Sequence, residues 1–522
     1  MAMTERTLDE DLGWLNSNSR AKSAKRNVLV SVIAQPLTLI LTFIVRTFFI
    51  KYLGQQYLGL NGLYTNLLSF LSFAELGIGV AIAAALYQPV AEKKIETINA
   101  LMIFFKKIYR IIGSVVFIGG IILTCLLPTF IKGEMPDNAQ LGFVLFFMNS
   151  VASYFLVTNR TLLAADQKQY LNVLNQFGFS FIQQVLQIMI LVYLHNFLLY
   201  LVVQIISTIL SNFWISVVVK KNYPFLNYKQ KTIVPIDVLY RMKNNIVGMM
   251  SAKFGGIVLT GTDNIILSSF IGLAIVGKYS NYMLIINGVT VVLGALLGGI
   301  TATIGNLRSE NNKYIEGKYF NNLFDANSLL ILIISVGLSI FLVPFVKIWA
   351  GTDYVFPWII SALIIFTFFT NQLRQVGISY IVAYELFGFL KIKSIIEALT
   401  NLLLSLFFVL VLKSGIIGVL IGTLLSNLLV NFYWESKIVT VHAIGSNTGR
   451  HLLKMIVRTI GAFTLIFVLS FLSSKIDKEI EYKLGLFINI LIFITVSVLL
   501  IVISFYRNPS LKDLLFKRFL RN

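Results

Sequence analysis

Apolar runs of about 20 residues or more follow one another from residue 27 to residue 506, joined by short polar connections. A run of that length crosses the hydrocarbon core of a bilayer as a helix. Fourteen segments can be read, near 27–50, 60–86, 109–131, 140–163, 172–194, 197–219, 246–270, 280–305, 323–349, 355–384, 392–412, 415–436, 453–473 and 484–506. They are too long for barrel strands and do not alternate apolar with polar residues. Composition points the same way. The chain is 57% apolar and 13% charged, against about 25% charged in soluble domains. So few charges could not cover the surface of a soluble enzyme, a nucleic-acid binder or a disordered chain. The predicted fold class is an all-α polytopic membrane protein.

The formal charge of +20 does not imply a nucleic-acid partner, because the basic residues punctuate the apolar runs instead of clustering on one polar face. Such spacing follows the positive-inside rule. Arg110, Arg160, Lys347, Lys393, Lys454 and Arg458, near span ends, are assigned to the adjoining connections. With the N-terminus inside, the inward tail and connections then carry thirty-two Lys and Arg, the outward connections eight, and the spans three (Arg46, Lys253 and Arg374). The ratio places both termini in the cytoplasm, supports an even helix count and predicts a multi-pass protein of the cytoplasmic membrane. The first 26 residues are polar and lack the apolar core of a signal peptide. The one cysteine, Cys125, lies in an apolar run and excludes an intrachain disulfide.

The connections suggest a division of the chain. A cytoplasmic tail (1–26) precedes six spans (27–219). A basic linker with Pro224 and Pro235 (220–245) leads to six more (246–440), and two further spans (441–506) end in a basic amphipathic tail (507–522) suited to anionic lipid. A shift of 218 residues lays 52–92 over 270–310, with Gly54 on Gly272, Gly59 on Gly277, Tyr64 on Tyr282 and Glu92 on Glu310. The shift also lays spans one and two over seven and eight. Two six-helix lobes in parallel repeat, plus two C-terminal helices, are expected, with a substrate site between the lobes.

The stretch RTFFIKYLGQQYLGLNGLYTNLLSFLSFAELGIGVAIAAALYQPVAEKK (46–94) resembles the first two helices of Gram-positive Wzx-type polysaccharide flippases. GTDNIILSSFIGLAIVGKYSNY (261–282) is similar to that family's second-half counterpart. The family belongs to the multidrug/oligosaccharidyl-lipid/polysaccharide exporter superfamily. The resemblance implies two lobes of six helices, two extra C-terminal helices, and alternating access for an undecaprenyl-diphosphate-linked oligosaccharide.

A charge at mid-span costs about 2.5–3.5 kcal/mol on the insertion scale, so those present need a reason. Arg46 lies near the outer end of span one and Glu75 near the middle of span two. Lys253 and Asp263 share span seven, and Arg374 lies in the inner half of span ten. Arg46, Lys253 and Arg374 are the candidates to meet an anionic headgroup, the arginines as bidentate donors. Glu75 and Asp263 are candidates for coupling or gating, Asp263 mapping beside Arg46 in the repeat. Plainer roles compete: snorkelling for Arg46, an Arg46–Glu75 pair, and an interhelical hydrogen bond for Asp263. Glu385, Lys391, Lys393 and Glu397 read as a solvated inner rim.

Amides recur within the spans, among them Asn66, Asn149, Asn175, Gln176, Gln183, Asn371 and Gln372, and suit sugar hydroxyls or interhelical bonds. Gly294-x-x-x-Gly298 and Gly418-x-x-x-Gly422 read as close helix packing. There is no P-loop, no metal-ligand spacing around His195, His442 or His451, and no catalytic or cofactor site. Asp9 and Asp11 form a D-x-D in a polar tail with no α/β domain behind it. The expectation is a flippase, not an enzyme, with proton, sodium or membrane potential as the candidate driving force. Its expected partners are the lipid-linked oligosaccharide, membrane lipids and other polysaccharide-assembly proteins. The alternatives are a cation-coupled multidrug exporter and, further off, a membrane-embedded polymerase.

Overall fold

A computed structural model describes residues 17–75, 78–228, 234, 239, 261–309 and 312–507. Among them every expected span is helical apart from its ends and short breaks. Ten helices are long and apolar enough to cross a membrane, or eleven if one bent pair is a single span. One of the ten merges two expected spans. The apolar part of α1 (Ser17–Leu71), Leu29–Leu71, has 43 residues. At a rise of 1.5 Å that is about 65 Å, twice the hydrocarbon thickness of about 30 Å. It is broken at Gly54, whose backbone (φ 77°, ψ −168°) is open to glycine. The seventh expected span lies outside the described residues up to 260 and is helical over 261–270. The tail after Arg507 and most of the expected linker also lie outside them.

The chain forms two compact units, Met1–Lys253 and Phe254–Asn522. In the first, α1 is followed by a 3-10 turn at Ser72–Glu75, α2 (Ile78–Ala91) and α3 (Ile95–Leu126). Then come α4 (Ala139–Leu156), α5 (Thr158–Ala165), α6 (Gln169–Tyr193) and α7 (Phe197–Asn222). Helix α1 packs on α6, and α7 packs on both α4 and α6. The second unit has α8 (Leu273–Ser309), α9 (Lys313–Trp349), α10 (Trp358–Leu373), α11 (Gln375–Ala383) and α12 (Leu390–Leu406). It continues through α13 (Ile416–Ser426), α14 (Phe432–Ile438), α15 (Thr448–Glu479) and α16 (Tyr482–Arg507). Helix α12 packs on α13, closely enough that a Cβ at Gly422 would lie 2.7 Å from the Ser405 backbone nitrogen. The packing expected of Gly294 is not seen, since nothing lies within 4 Å of a Cβ there.

The last two helices belong to the second unit. Val336, Ile340 and Leu469 form a buried cluster against which Phe341 and Phe493 pack. Arg458 of α15 pairs with Asp325 of α9 and lies 4.7 Å over the Phe324 ring. Little of α16 is buried, and large apolar side chains such as Leu499 and Val502 are open on its surface, the face that a helix presents to lipid.

The backbone carries the 218-residue repeat further than the sequence does. Left-handed glycines occur at Gly54 and Gly272, and again at Gly133 and Gly351. Left-handed residues other than glycine occur at Gln167 and Glu385, and at His195 and Lys413. Each pair is separated by 218 residues. Four turns thus share a left-handed residue at the same repeat position even where the side chains differ, whereas Asn138 (φ 58°) and Gly415 (φ 59°) have no left-handed counterpart. A buried tyrosine is also shared. Tyr64 donates its hydroxyl to the Ala139 carbonyl at the start of α4. Tyr282 accepts from the Phe356 amide (2.9 Å), two residues before α10.

Tyr282→Phe would leave the buried Phe356 amide unpaired, at a cost of about 1–3 kcal/mol. Thermal unfolding of the detergent-solubilised protein should show a lowered midpoint, and an unchanged midpoint would remove the tether from this account.

Candidate functional site

In the first unit the polar centre is Arg160. Helices α4 and α5 bend by 52° relative to one another, which places α5 against the polar faces of α6 and α7. Arg160 donates from Nε to Asn212 (2.7 Å) and from Nη2 to Asn175 (2.9 Å) and Ser211 (2.6 Å). All three acceptors are neutral, and no carboxylate among the described residues pairs with this guanidinium. Its side chain lines a cavity of about 290 Å³, with Gln176, Phe179, Ser180, Gln183, Ser207 and Thr208 on the other walls. The sequence reading counted Arg160 among the inward connections. Its amide neighbours on span five, Asn175, Gln176 and Gln183, were the available signal.

Glu75 closes the 3-10 turn that interrupts the second expected span. Its carboxylate accepts from the Tyr109 hydroxyl (2.7 Å), with the Tyr154 phenol as a second neighbour. A Cβ at Gly79 would lie 2.6 Å from the Tyr109 oxygen, so glycine makes room for this contact. The Arg46–Glu75 pair weighed from the sequence is not formed. Arg46 is half-buried and within electrostatic range of Tyr200. It lies eight residues before the Gly54 break and Glu75 twenty-one after it, so their depths differ by about 20 Å or more.

In the second unit Arg374, between α10 and α11, is closed into a network. It grips Glu435 bidentately, Nε to Oε2 (2.8 Å) and Nη2 to Oε1 (2.6 Å), and donates from Nη1 to Asn427 (2.5 Å). Lys393 lies 2.7 Å from both Glu435 and Glu397. Asn431 bonds Glu397, and Asn427 bonds Thr370 and Asn371. Lys393, Glu397 and Glu435 are buried and Arg374 nearly so, and the four charges sum to zero. Lys393 and Glu397 do form the expected i,i+4 pair, but in the interior and not at a solvated rim. Glu435, the residue that neutralises Arg374, was missed because it falls in the last turn of an apolar run.

Asp263 is buried. Its Oδ2 accepts from Thr423 (3.0 Å), and Thr423 in turn accepts from Asn401 (2.9 Å). The interhelical bond expected of it is thus present. Its Oδ1 has no partner, and no base among the described residues pairs with it. A carboxylate so placed needs a proton or a cation. Lys253 lies outside the described residues, as do Asp9 and Asp11. Among the described residues no group of His, Cys, Asp and Glu could hold a metal ion.

The repeat places the two arginine sites on corresponding helices. Shifted by 218, Lys393 falls on Asn175, Glu397 on Phe179 and Glu435 on Val217. The second unit thus holds two carboxylates where the first has Phe and Val, and only the first leaves its arginine uncompensated.

No protein-family profile and no curated protein sequence matches the chain. Solved structures do match its fold. The chain is similar to the lipid II flippase MurJ in an inward closed conformation, with a TM-score of 0.63 at 16% identity over 92% of this chain and 99% of that one. It is similar to an inward-facing multidrug resistance MATE family transporter of the MOP superfamily, with a TM-score of 0.56 at 14% identity over 85% and 98%. The Vibrio cholerae MATE transporter VcmN in its bent form gives 0.51 at 15% identity over 87% and 100%. At these identities the likeness is one of fold, an all-helical membrane architecture spanning nearly the whole of each chain.

Glu435→Gln removes the carboxylate shared by Arg374 and Lys393 and leaves two buried cations facing Glu397 alone. Breaking one partner of a buried ion pair costs about 3–5 kcal/mol. The solubilised variant should unfold at clearly lower temperature than wild type, and an equal midpoint would show the network to be dispensable.

Proposed function

We propose that this chain is a flippase that moves a polyprenyl-diphosphate-linked oligosaccharide from the inner to the outer leaflet of the cytoplasmic membrane by alternating access. Both termini lie inside in this reading, and the polymer served is a cell-surface polysaccharide or a teichoic-acid-type chain. Membrane lipids and other polysaccharide-assembly proteins are its partners.

The observation that carries the reading is the uncompensated Arg160 in an amide- and hydroxyl-lined cavity. A polar anionic headgroup finds charge-assisted donors there and partners for its hydroxyls. A lipophilic cation finds a like charge that no carboxylate screens. This separates the flippase from a multidrug exporter, a distinction that the shared fold does not make. Arg46 and Lys253 remain the candidates to meet the diphosphate. Arg374, already held bidentately by Glu435, is assigned to the scaffold of the second unit.

The driving force acts on charge. An inside-negative potential favours outward movement of an anion by about 2.3 kcal/mol per charge per 100 mV. Asp263, with one carboxylate oxygen unpartnered, is the candidate for exchange of a proton or sodium ion, and Glu75 is the second.

Purified protein in liposomes, loaded with a fluorescent lipid-linked oligosaccharide, should accelerate its exposure to a membrane-impermeant glycosidase. No acceleration, together with gradient-driven movement of a lipophilic cation, would assign the chain to drug export. Asp263→Asn should remove the dependence of the flipping rate on an imposed proton or sodium gradient while transport driven by potential persists. A gradient response equal to that of wild type would take Asp263 out of the coupling step.

A further inference from the structure

We propose that the cavity beside Arg160 in the first unit binds one sugar ring that carries a single carboxylate. The proposal rests on the reading of the chain as a carrier of lipid-linked saccharides, and it names the chemistry that one of its sites selects.

The guanidinium is fixed before any ligand arrives. Nε and Nη2 are spent on Asn212, Asn175 and Ser211, at 2.6–2.9 Å, which holds the plane of the group in one orientation. The two N–H groups of Nη1 have no partner among the described residues. Asn175, whose oxygen receives Nη2, has a buried amide nitrogen that is also without one. Arg160 Nη1 and the Asn175 amide are therefore donors open to a ligand's oxygen lone pairs, and beside them the buried Asn172 Oδ1 is an acceptor still open to a hydroxyl. A group held rigid in this way loses little entropy when it binds.

Charge decides what kind of oxygen. Among the described residues Arg160 is the only charged one lining the cavity, so a ligand that balances it carries one negative charge. A carboxylate satisfies that count. A diphosphate, with two or more, would bring charge that no described residue of this wall balances. The remaining wall consists of amides and hydroxyls, Gln176, Gln183, Ser180 and Thr208 among them, with the Phe179 ring beside them. Amides and hydroxyls both donate and accept, as ring hydroxyls do, and an aromatic face suits the C–H side of a pyranose. The volume of about 290 Å³ stands at the small end of ligand pockets and suits one ring, not a whole oligosaccharide. The equivalent place in the second unit is built the other way. There Lys393, Glu397 and Glu435 supply every charge that Arg374 needs, and no net charge is left for a ligand.

Binding to the purified full chain in detergent tests this, by calorimetry or saturation-transfer NMR, with sodium D-glucuronate, D-glucose and inorganic pyrophosphate at constant ionic strength. Glucuronate should bind saturably, about tenfold or more tighter than glucose, the difference that one charge-assisted hydrogen bond supplies. Pyrophosphate should fail to displace it. Arg160→Gln should bring glucuronate down to the level of glucose. Gln183→Leu leaves the three bonds of Arg160 in place and should weaken both sugars together, which tests the cavity even if Arg160→Gln does not fold. Absence of saturable glucuronate binding, glucose bound as tightly as glucuronate, or displacement by pyrophosphate at equal concentration would overturn the proposal, the last in favour of a diphosphate site. Flipping of a lipid-linked oligosaccharide without glucuronate binding would remove this site and keep the flippase. Glucuronate binding without flipping would do the reverse.

Discussion

A backbone amide or carbonyl in hydrocarbon that finds no partner costs several kcal/mol, and everything in this fold is arranged around that cost. Regular helix meets it along most of each span. The exceptions are the informative places. At the ends of spans the chain turns through left-handed residues such as Gly54, Gly133, Gly272 and Gly351, where the backbone can reach the membrane surface. Inside spans the helix is interrupted at Ser72–Glu75, between α4 and α5, between α10 and α11, and in the π-helical turn Asn427–Asn431. Those interruptions carry or adjoin Glu75, Arg160, Arg374 and the Asn427–Asn431 pair. At these four places irregular backbone and polar side chains occur together, whereas the π-helical turn Phe407–Val411 carries apolar side chains alone.

The repeat separates what the fold needs from what a site needs. Four pairs of left-handed residues recur at a spacing of 218, including non-glycine pairs in which the residue type has changed. Backbone path has thus been held while side chains diverged. The divergence includes the places where Arg160 and Arg374 sit. In the second unit the substitution of Val and Phe positions by Glu435 and Glu397 turns an arginine into part of a balanced network, which ties α10, α12 and α14 together. In the first unit the same helices keep apolar residues at Phe179 and Val217, and the arginine is satisfied only by neutral oxygens.

Spans were legible because twenty apolar residues admit few other readings, and the Gly54 and Gly272 breaks stood in the gaps between runs. The interior charges were not. Charges near the end of an apolar run read as its solvated edge, so Lys393 and Glu397 were taken for rim residues and Arg160, three residues from the end of its run, drew no notice. The helices continue: the apolar run at 453–473 is the middle of α15, Thr448–Glu479, and Arg458 on its inner turn is paired inside the unit. A network that sums to zero lets charge enter the bundle, and no single residue in it announces its partners. Lys393 and Glu397 are four apart, but Glu435 lies 42 residues from Lys393 and 61 from Arg374. Distance in sequence of that order leaves no periodic signal. The carboxylate of Asp263 was legible as an oddity in an apolar run, but its bond to Thr423, 160 residues away, was not.

These two ways of housing an arginine serve different ends. A neutralised buried network resists change, since separating any member exposes a charge that the interior cannot solvate. An arginine held by amides and a hydroxyl has its orientation fixed and its charge unspent, so the free energy of balancing it is still available when an anionic group arrives. A carrier needs that difference: a ligand shifts an equilibrium between states only by the interaction it gains in one and lacks in the other. Were Arg160 paired as Arg374 is, a substrate would have to break an existing ion pair to gain a new one, and the net gain would approach zero. Under the proposed function, leaving position 217 as valine, where the other unit has glutamate, keeps that gain for the substrate.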